Sequence, residues 1–151
     1  MSIFYKQKII AITGASSGIG KAMALALLQQ GAKVAVCGRN AQHLSTLQQE
    51  VNHANLLTIQ ADVSVESDCK AFIDQTVKHF GGLDVLINNA GISMRALFQE
   101  VDLDVLRKCM DINFWGTVYC SKFALPHLLK SKGSIAGISS IAGYKGLPCR
   151  T

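Results

Sequence analysis

A doubly wound α/β domain, a parallel sheet covered by helices on both faces, is the fold that this sequence predicts. Three observations predict it. Five short apolar runs alternate with longer stretches of helical periodicity; most of the runs are rich in Ile, Val or Leu, as strands buried on both faces are; and each run is bounded by Gly, Asn or Asp. A strand-helix order repeated through to a fifth strand calls for right-handed crossovers and a parallel sheet. At 151 residues, 49% apolar and 17% charged, the chain suits one globular domain. A domain of this size buries about 68–70% of its unfolded surface and needs no disulfide or metal to hold its core.

Taken in order, the strands are expected over Lys8–Thr13, Lys33–Cys37, Asn55–Ile59, Leu83–Ile87 and Ser134–Ser139. Between them helices are expected over Gly18–Gln30, Asn40–His53, Glu66–Phe80 and, as one long element, Asp102 to Lys130. Gly31 follows the first helix as a left-handed terminator. Ser64 and Asp102 offer side-chain oxygens to cap the third and fourth helices. The first helix, with Ile19 and the run Ala22–Leu28, is apolar nearly all the way round and belongs inside a layered domain. The long helix carries Phe114, Trp115, Tyr119 and Phe123, more aromatic surface than one stripe can bury.

Several function classes are excluded. Lys and Arg number 15 against 10 for Asp and Glu, a net charge of +5, but the charges are scattered and form no arm for nucleic acid. The five cysteines are odd in number, lack a C-x-x-C pair, and lie in or beside apolar stretches, so they read as reduced, mostly buried thiols. The four histidines have neither zinc-finger nor H-E-x-x-H spacing, and no metal is expected. The opening Met1–Lys8 does not resemble a signal peptide, and no apolar run approaches the roughly 18 residues of a membrane span. A cytoplasmic location is the expectation.

The richest chemistry falls where the first strand meets the first helix, in Thr13-Gly14-Ala15-Ser16-Ser17-Gly18-Ile19-Gly20. Glycines at such a turn let the backbone approach a pyrophosphate, whose charge the free amides and positive end of the helix can hold; Gly14, Ser16, Ser17, Gly18, Ile19 and Gly20 are the candidate contacts. A tight turn needing glycine for geometry alone is the plainer alternative. The spacing G-x-x-x-G-x-G is not Walker A, because Ala22 stands where Ser or Thr should meet magnesium. Gly14-Ala15-Ser16-Ser17-Gly18 also satisfies G-x-S-x-G, the nucleophile elbow of hydrolases, with Ser16 as nucleophile, yet every histidine falls in a helical pattern instead of a loop after a strand. At the end of the second strand, where an acid would accept from an adenosine 2′-hydroxyl, the chain reads Val36-Cys37-Gly38-Arg39-Asn40. A guanidinium there suits a 2′-phosphate, which favours NADP over NAD.

Four segments together resemble the N-terminal part of the short-chain dehydrogenase/reductase family: Thr13–Gly20, Ala61-Asp62-Val63, Asn88-Asn89-Ala90-Gly91, and Gly133–Gly143 with its Ile138-Ser139-Ser140. The resemblance implies a Rossmann-type sheet and a single NAD(P)-binding domain over residues 1–151, truncated after the fifth strand. It implies that Asp62, followed by Val63, meets the adenine, that Asn89, Ala90 and Gly91 pass beneath the adenosine half, and that Arg39 with Asn40 meets the 2′-phosphate. Asn113 resembles the family's catalytic asparagine, and Ser140, more than Ser139, its catalytic serine. The residues alone leave Asp62 open as a helix cap, the Asn88–Gly91 stretch as a self-satisfying loop, and Asn113 as a core asparagine. The family's Tyr-x-x-x-Lys motif is missing, and Tyr144, with Pro148 four residues on, does not replace it. The expected activity of the complete enzyme is hydride transfer between NADP(H) and a small-molecule alcohol or ketone in a homo-oligomer, with the 151-residue chain itself inactive. A cofactor-binding remnant and a Ser16 hydrolase are the alternatives.

Overall fold

A computed structural model describes residues 3–149; Met1, Ser2, Arg150 and Thr151, which end the expected domain, lie outside the described residues. Five strands, β1 (Ile9–Ile12), β2 (Lys33–Gly38), β3 (Leu56–Gln60), β4 (Val85–Asn88) and β5 (Ser134–Gly137), form one sheet in the order β3-β2-β1-β4-β5. All four pairings are parallel, so the sheet is the doubly wound α/β architecture that the alternation predicts. The strand period of two splits the core. Ile10, Ile12, Val34 and Val36 point to one face, which α1 (Gly18–Gln29) and α2 (Ala41–Val51) cover with Ala24, Leu28, Leu44 and Leu47. Ala11, Ala35, Cys37 and Leu86 point to the other, under Phe72 and Ile73 of α3 (Glu66–Phe80) and Cys120, Ala124 and Leu128 of α5 (Gly116–Ser131).

Local chemistry sets the helix ends. Asn40 caps α2 by accepting from the His43 amide at 3.0 Å, and Asp102 caps α4 (Leu103–Met110) by accepting from Asp104 N at 2.9 Å. Acidic Glu66 and Asp68 begin α3, basic Lys78 and His79 end it, and Gly81 at φ +89° stops it.

Several sequence expectations need correction. The long fourth helix is two, joined by a π-helical turn over Asp111–Trp115, an irregularity that hydrophobic periodicity does not encode. Ser64 does not cap α3; its hydroxyl and amide both donate to Asp62 Oδ1, at 2.7 and 3.0 Å, and the cap position is Val65. Only Gly20, Ala24 and Leu28 of α1 are buried, and Ile19 is 67% exposed, because the helix covers the sheet with one stripe. The aromatic surface does exceed what one stripe buries, as expected: Tyr119 and Phe123 pack against the core, whereas Phe114 and Trp115 stay about half exposed. Cys37, Cys69 and Cys120 are buried free thiols, Cys109 is half-buried and Cys149 exposed.

Candidate functional site

In a parallel sheet wound both ways, a crevice opens outside the strand ends where the order reverses, here between β1 and β4. A cleft of about 880 Å³ lies there. Its floor is a clamp between the turn after β1 and the loop after β4. Thr13, 2% exposed, receives the amides of Asn89 and Ala90 on its hydroxyl oxygen, both at 3.0 Å, and donates its own amide to Ile87 O. Asn89 Nδ2 donates back to Thr13 O at 2.9 Å and Gly14 O at 3.0 Å. Gly14 has φ +63°, and a Cβ on it would lie 2.7 Å from Ala90 Cα, so both backbone conformation and space demand glycine.

Above this clamp the N-terminus of α1 faces the cleft. Its cap residue Ser17 makes no side-chain cap bond, its first turn holds no acid, and Gly18 at φ +57° has nothing within 4 Å of where a Cβ would be. Unopposed helix amides beside open space make a cradle with the charge and shape for a pyrophosphate, so the residues fit a dinucleotide. At the rim, Asp62 Oδ1 holds the two Ser64 donors, and Asp62 N donates to Asp68 Oδ2 at 3.0 Å. Arg39 is exposed, its carbonyl accepts from Gln60 Nε2, and its guanidinium has no carboxylate partner among the described residues.

Gly14, Ser16, Ser17, Gly18, Ile19, Gly20, Arg39, Asn40, Asp62, Val63, Asn89, Ala90 and Gly91 all line this one cleft. Gly38, Ala61, Ile92 and Ile112 line it too; Gly38 and Ala61 fall within segments that the sequence points to, without a role of their own there, while only the fold brings Ile112 to the cleft. Asn113 and Ser140 line an adjoining cleft of about 780 Å³ that shares Ala90, Gly91 and Ile92 with the first. Asn113 sits on the π turn and grips Ile92 from both sides, accepting from its amide at 2.8 Å and donating to its carbonyl at 2.9 Å. Ser140 Oγ accepts from Ala142 N at 3.2 Å, starting the 3-10 turn Ile141–Gly143. Tyr144 is 95% exposed. Between β4 and α5, Asn88 donates to Ser121 Oγ at 3.0 Å while its buried Oδ1 has no hydrogen-bond partner among the described residues. No histidine lines either cleft.

Burial pushes the Cys37 thiol, beneath the turn after β1, up to about 12. Cys120 is raised as well, by its hydrogen bond with Cys69 and by burial. These thiols are packing groups.

Fold and clefts together define a doubly wound α/β scaffold whose switch-point cleft has the shape and amides to fit a dinucleotide. The sequence matches the short chain dehydrogenase family over residues 8–151, and the chain belongs to that family. It is 44% identical over 146 residues to 11-beta-hydroxysteroid dehydrogenase-like 3 of Arabidopsis thaliana, covering 94% of this chain and 47% of that protein. It is likewise 44% identical over 147 residues to 11-beta-hydroxysteroid dehydrogenase A of Arachis hypogaea, covering 95% and 42%. The chain thus spans less than half the length of these relatives. A short chain dehydrogenase/reductase from Burkholderia phymatum, solved in complex with NAD, superposes with a TM-score of 0.92 at 24% identity over 97% of this chain and 53% of that one, which shows the shared fold. No helix among the described residues is long and apolar enough to cross a membrane.

Proposed function

We propose that this chain is the NADP-preferring, nucleotide-binding part of a short-chain dehydrogenase/reductase whose complete form interconverts an alcohol and a ketone. The observation that carries this reading is the convergence of the glycine turn, Asp62 and an unpaired Arg39 on one cleft at the switch point. In it the amides of Ser16–Gly20 hold the pyrophosphate, Asp62 accepts from the adenine amino group, and Arg39 with Asn40 binds the 2′-phosphate. NADP(H), when bound, supplies or accepts the hydride. Ser140 donates to the substrate oxygen in the adjoining cleft, and Asn113 fixes the Ile92 backbone between the two clefts. That cleft also presents Ile92, Met94, Ile138 and Leu147, a lining suited to an apolar alcohol or ketone such as the relatives' names indicate. No Tyr-x-x-x-Lys occurs in the 151 residues, so the chain alone binds cofactor without turnover. The half-exposed Phe114 and Trp115 are the surface on which copies associate. The Ser16 hydrolase reading is set aside because no histidine is among the residues that line the cleft with Ser16.

The test is a fluorescence titration with NADPH and NADH beside a turnover assay and a serine-reactive phosphonate. Tighter NADPH binding, no turnover and no labelling are expected. A charge-assisted pair of this kind is worth about 1.5–3 kcal/mol, so Arg39→Ala should erase about one to two decades of NADPH preference while sparing NADH, and added salt should shrink the preference in the parent. Equal affinities in the parent would overturn the NADP assignment. Phosphonate labelling of Ser16 would favour the hydrolase, and turnover by the purified chain would show that Tyr144 or a partner supplies the proton.

A further inference from the structure

The turn after β1 lies across the end of β2: Ala15 N donates to Cys37 O at 3.0 Å, which brings the next residue, Ser16, against Gly38. Gly38 is outside the positive-φ region, so its backbone does not require glycine. Its space does. A Cβ at position 38 would stand 2.8 Å from Ser16 Oγ and 3.1 Å from Ser16 Cβ, whereas the next nearest atom, Ser16 N, is at an ordinary 3.9 Å. The obstruction is therefore the serine side chain alone. Among the described residues the Ser16 hydroxyl has no hydrogen-bond partner that would hold it there, but rotating it leaves the Cβ contact in place.

We propose that Ser16 is a specificity-determining residue whose side chain holds position 38 to glycine and so keeps an acid out of the place that reads the adenosine ribose. This deepens the NADP reading above and rests on it. An aspartate at position 38 would accept from a 2′-hydroxyl and repel a 2′-phosphate; with that side chain barred, Arg39 acts unopposed. The selectivity then has two parts, an attractive guanidinium and a steric guard on the neighbouring strand end. Changing the cofactor preference requires two substitutions made together, because the acid enters only when the guard is removed.

The experiment compares Gly38→Asp, Ser16→Gly and the double variant by thermal melting and by fluorescence titration with NADH and NADPH. Glycine is chosen at position 16 because alanine would keep the 3.1 Å contact. Gly38→Asp is expected to melt below the parent and to gain no NADH affinity; the double variant is expected to recover the melting temperature and bind NADH at least about tenfold more tightly than the single variant. The proposal is overturned if Gly38→Asp matches the double variant in stability and NADH affinity, or if the double variant stays as damaged as the single one. The two readings fail separately. An unchanged NADPH to NADH ratio in Arg39→Ala would bring down the role of Arg39, while melting of Gly38→Ala with and without Ser16→Gly still measures the steric pairing.

Discussion

The two adjoining clefts are built to different standards, and neighbouring asparagines mark the boundary between them. Asn89 serves the first cleft, and its amide nitrogen bridges two backbone carbonyls of the turn after β1. Asn88 serves the second, and its buried carbonyl oxygen has no partner among the described residues. The first cleft rises from central strands whose residues are almost wholly buried; the second rests on β5, every residue of which is exposed. A pyrophosphate cradle needs backbone amides fixed in place, which close packing and reciprocal hydrogen bonds supply. The second cleft holds Ser140 on a strand end paired on one side only, through Ile138 N to Asn88 O and the β4 ladder. The first cleft is thus clamped reciprocally by two elements, and the second is held through strand pairing on one side.

Thiol chemistry can break this comparison most sharply. Cys37 lies beneath the first cleft, fully buried and with its thiol raised, while Cys109 lines the second and Cys149 is exposed, its backbone carbonyl accepting from Ala96 N at 3.0 Å. Treated with a disulfide reagent at pH 8, Cys149 should react within the mixing time and Cys109 next. Cys37 should react only through opening, slowed by a factor of about 10³ or more. Mass-mapped labelling of Cys37 at a rate near that of Cys149 would mean that the first cleft is not the more firmly clamped one.

The next largest effect is expected at Gly14. A valine there combines a β-branched residue at φ +63° with a Cβ 2.7 Å from the Ala90 backbone, which should cost about 2–5 kcal/mol and abolish dinucleotide binding. Urea denaturation and NADPH titration read both quantities, and undiminished binding by a folded Gly14→Val protein would refute the cradle. The two asparagines give a smaller, paired test. Asn89→Ala strands two carbonyls and should cost about 2–3 kcal/mol, whereas Asn88→Ala loses one bond to Ser121 but also removes an unsatisfied oxygen, for a net loss of about 1 kcal/mol. Equal losses would show that the second cleft is clamped as firmly as the first.

Much of the first cleft was legible because its residues act through local geometry that sequence carries directly. Glycine at a strand-to-helix turn, a charge at the strand end and an Asn-Asn-Ala-Gly loop each lie within a few residues of the element that places them. The buried runs of Ile10, Val34 and Leu86 set the sheet for the same reason. What was not legible depends on contacts across the chain. The π turn under Asn113 adds a residue to a helix without changing its composition, and the grip on Ile92 joins positions 21 residues apart. The guard of Ser16 over Gly38 joins two elements that look independent in sequence. A serine before a helix can cap it or, as Ser64 does, turn back to an aspartate two residues earlier, and composition does not choose between them.

The smallest expected effect tests the open side of the comparison. Gly137 ends β5 opposite Asn88, has no positive φ, and would place a Cβ with nothing within 4 Å. Glycine in such a strand is held by no steric need, so Gly137→Ala removes freedom from the unfolded chain without opposing anything in the folded one. The variant should be neutral or more stable by up to about 1 kcal/mol, with NADPH affinity unchanged because the first cleft does not include position 137. Replacing a glycine near each cleft would then give opposite signs, a loss at Gly14 and none at Gly137. A fall of more than about 1 kcal/mol for Gly137→Ala, read from the urea midpoint at constant m-value, would mean that β5 is packed where the structure leaves it open, and the contrast between the clefts would fail.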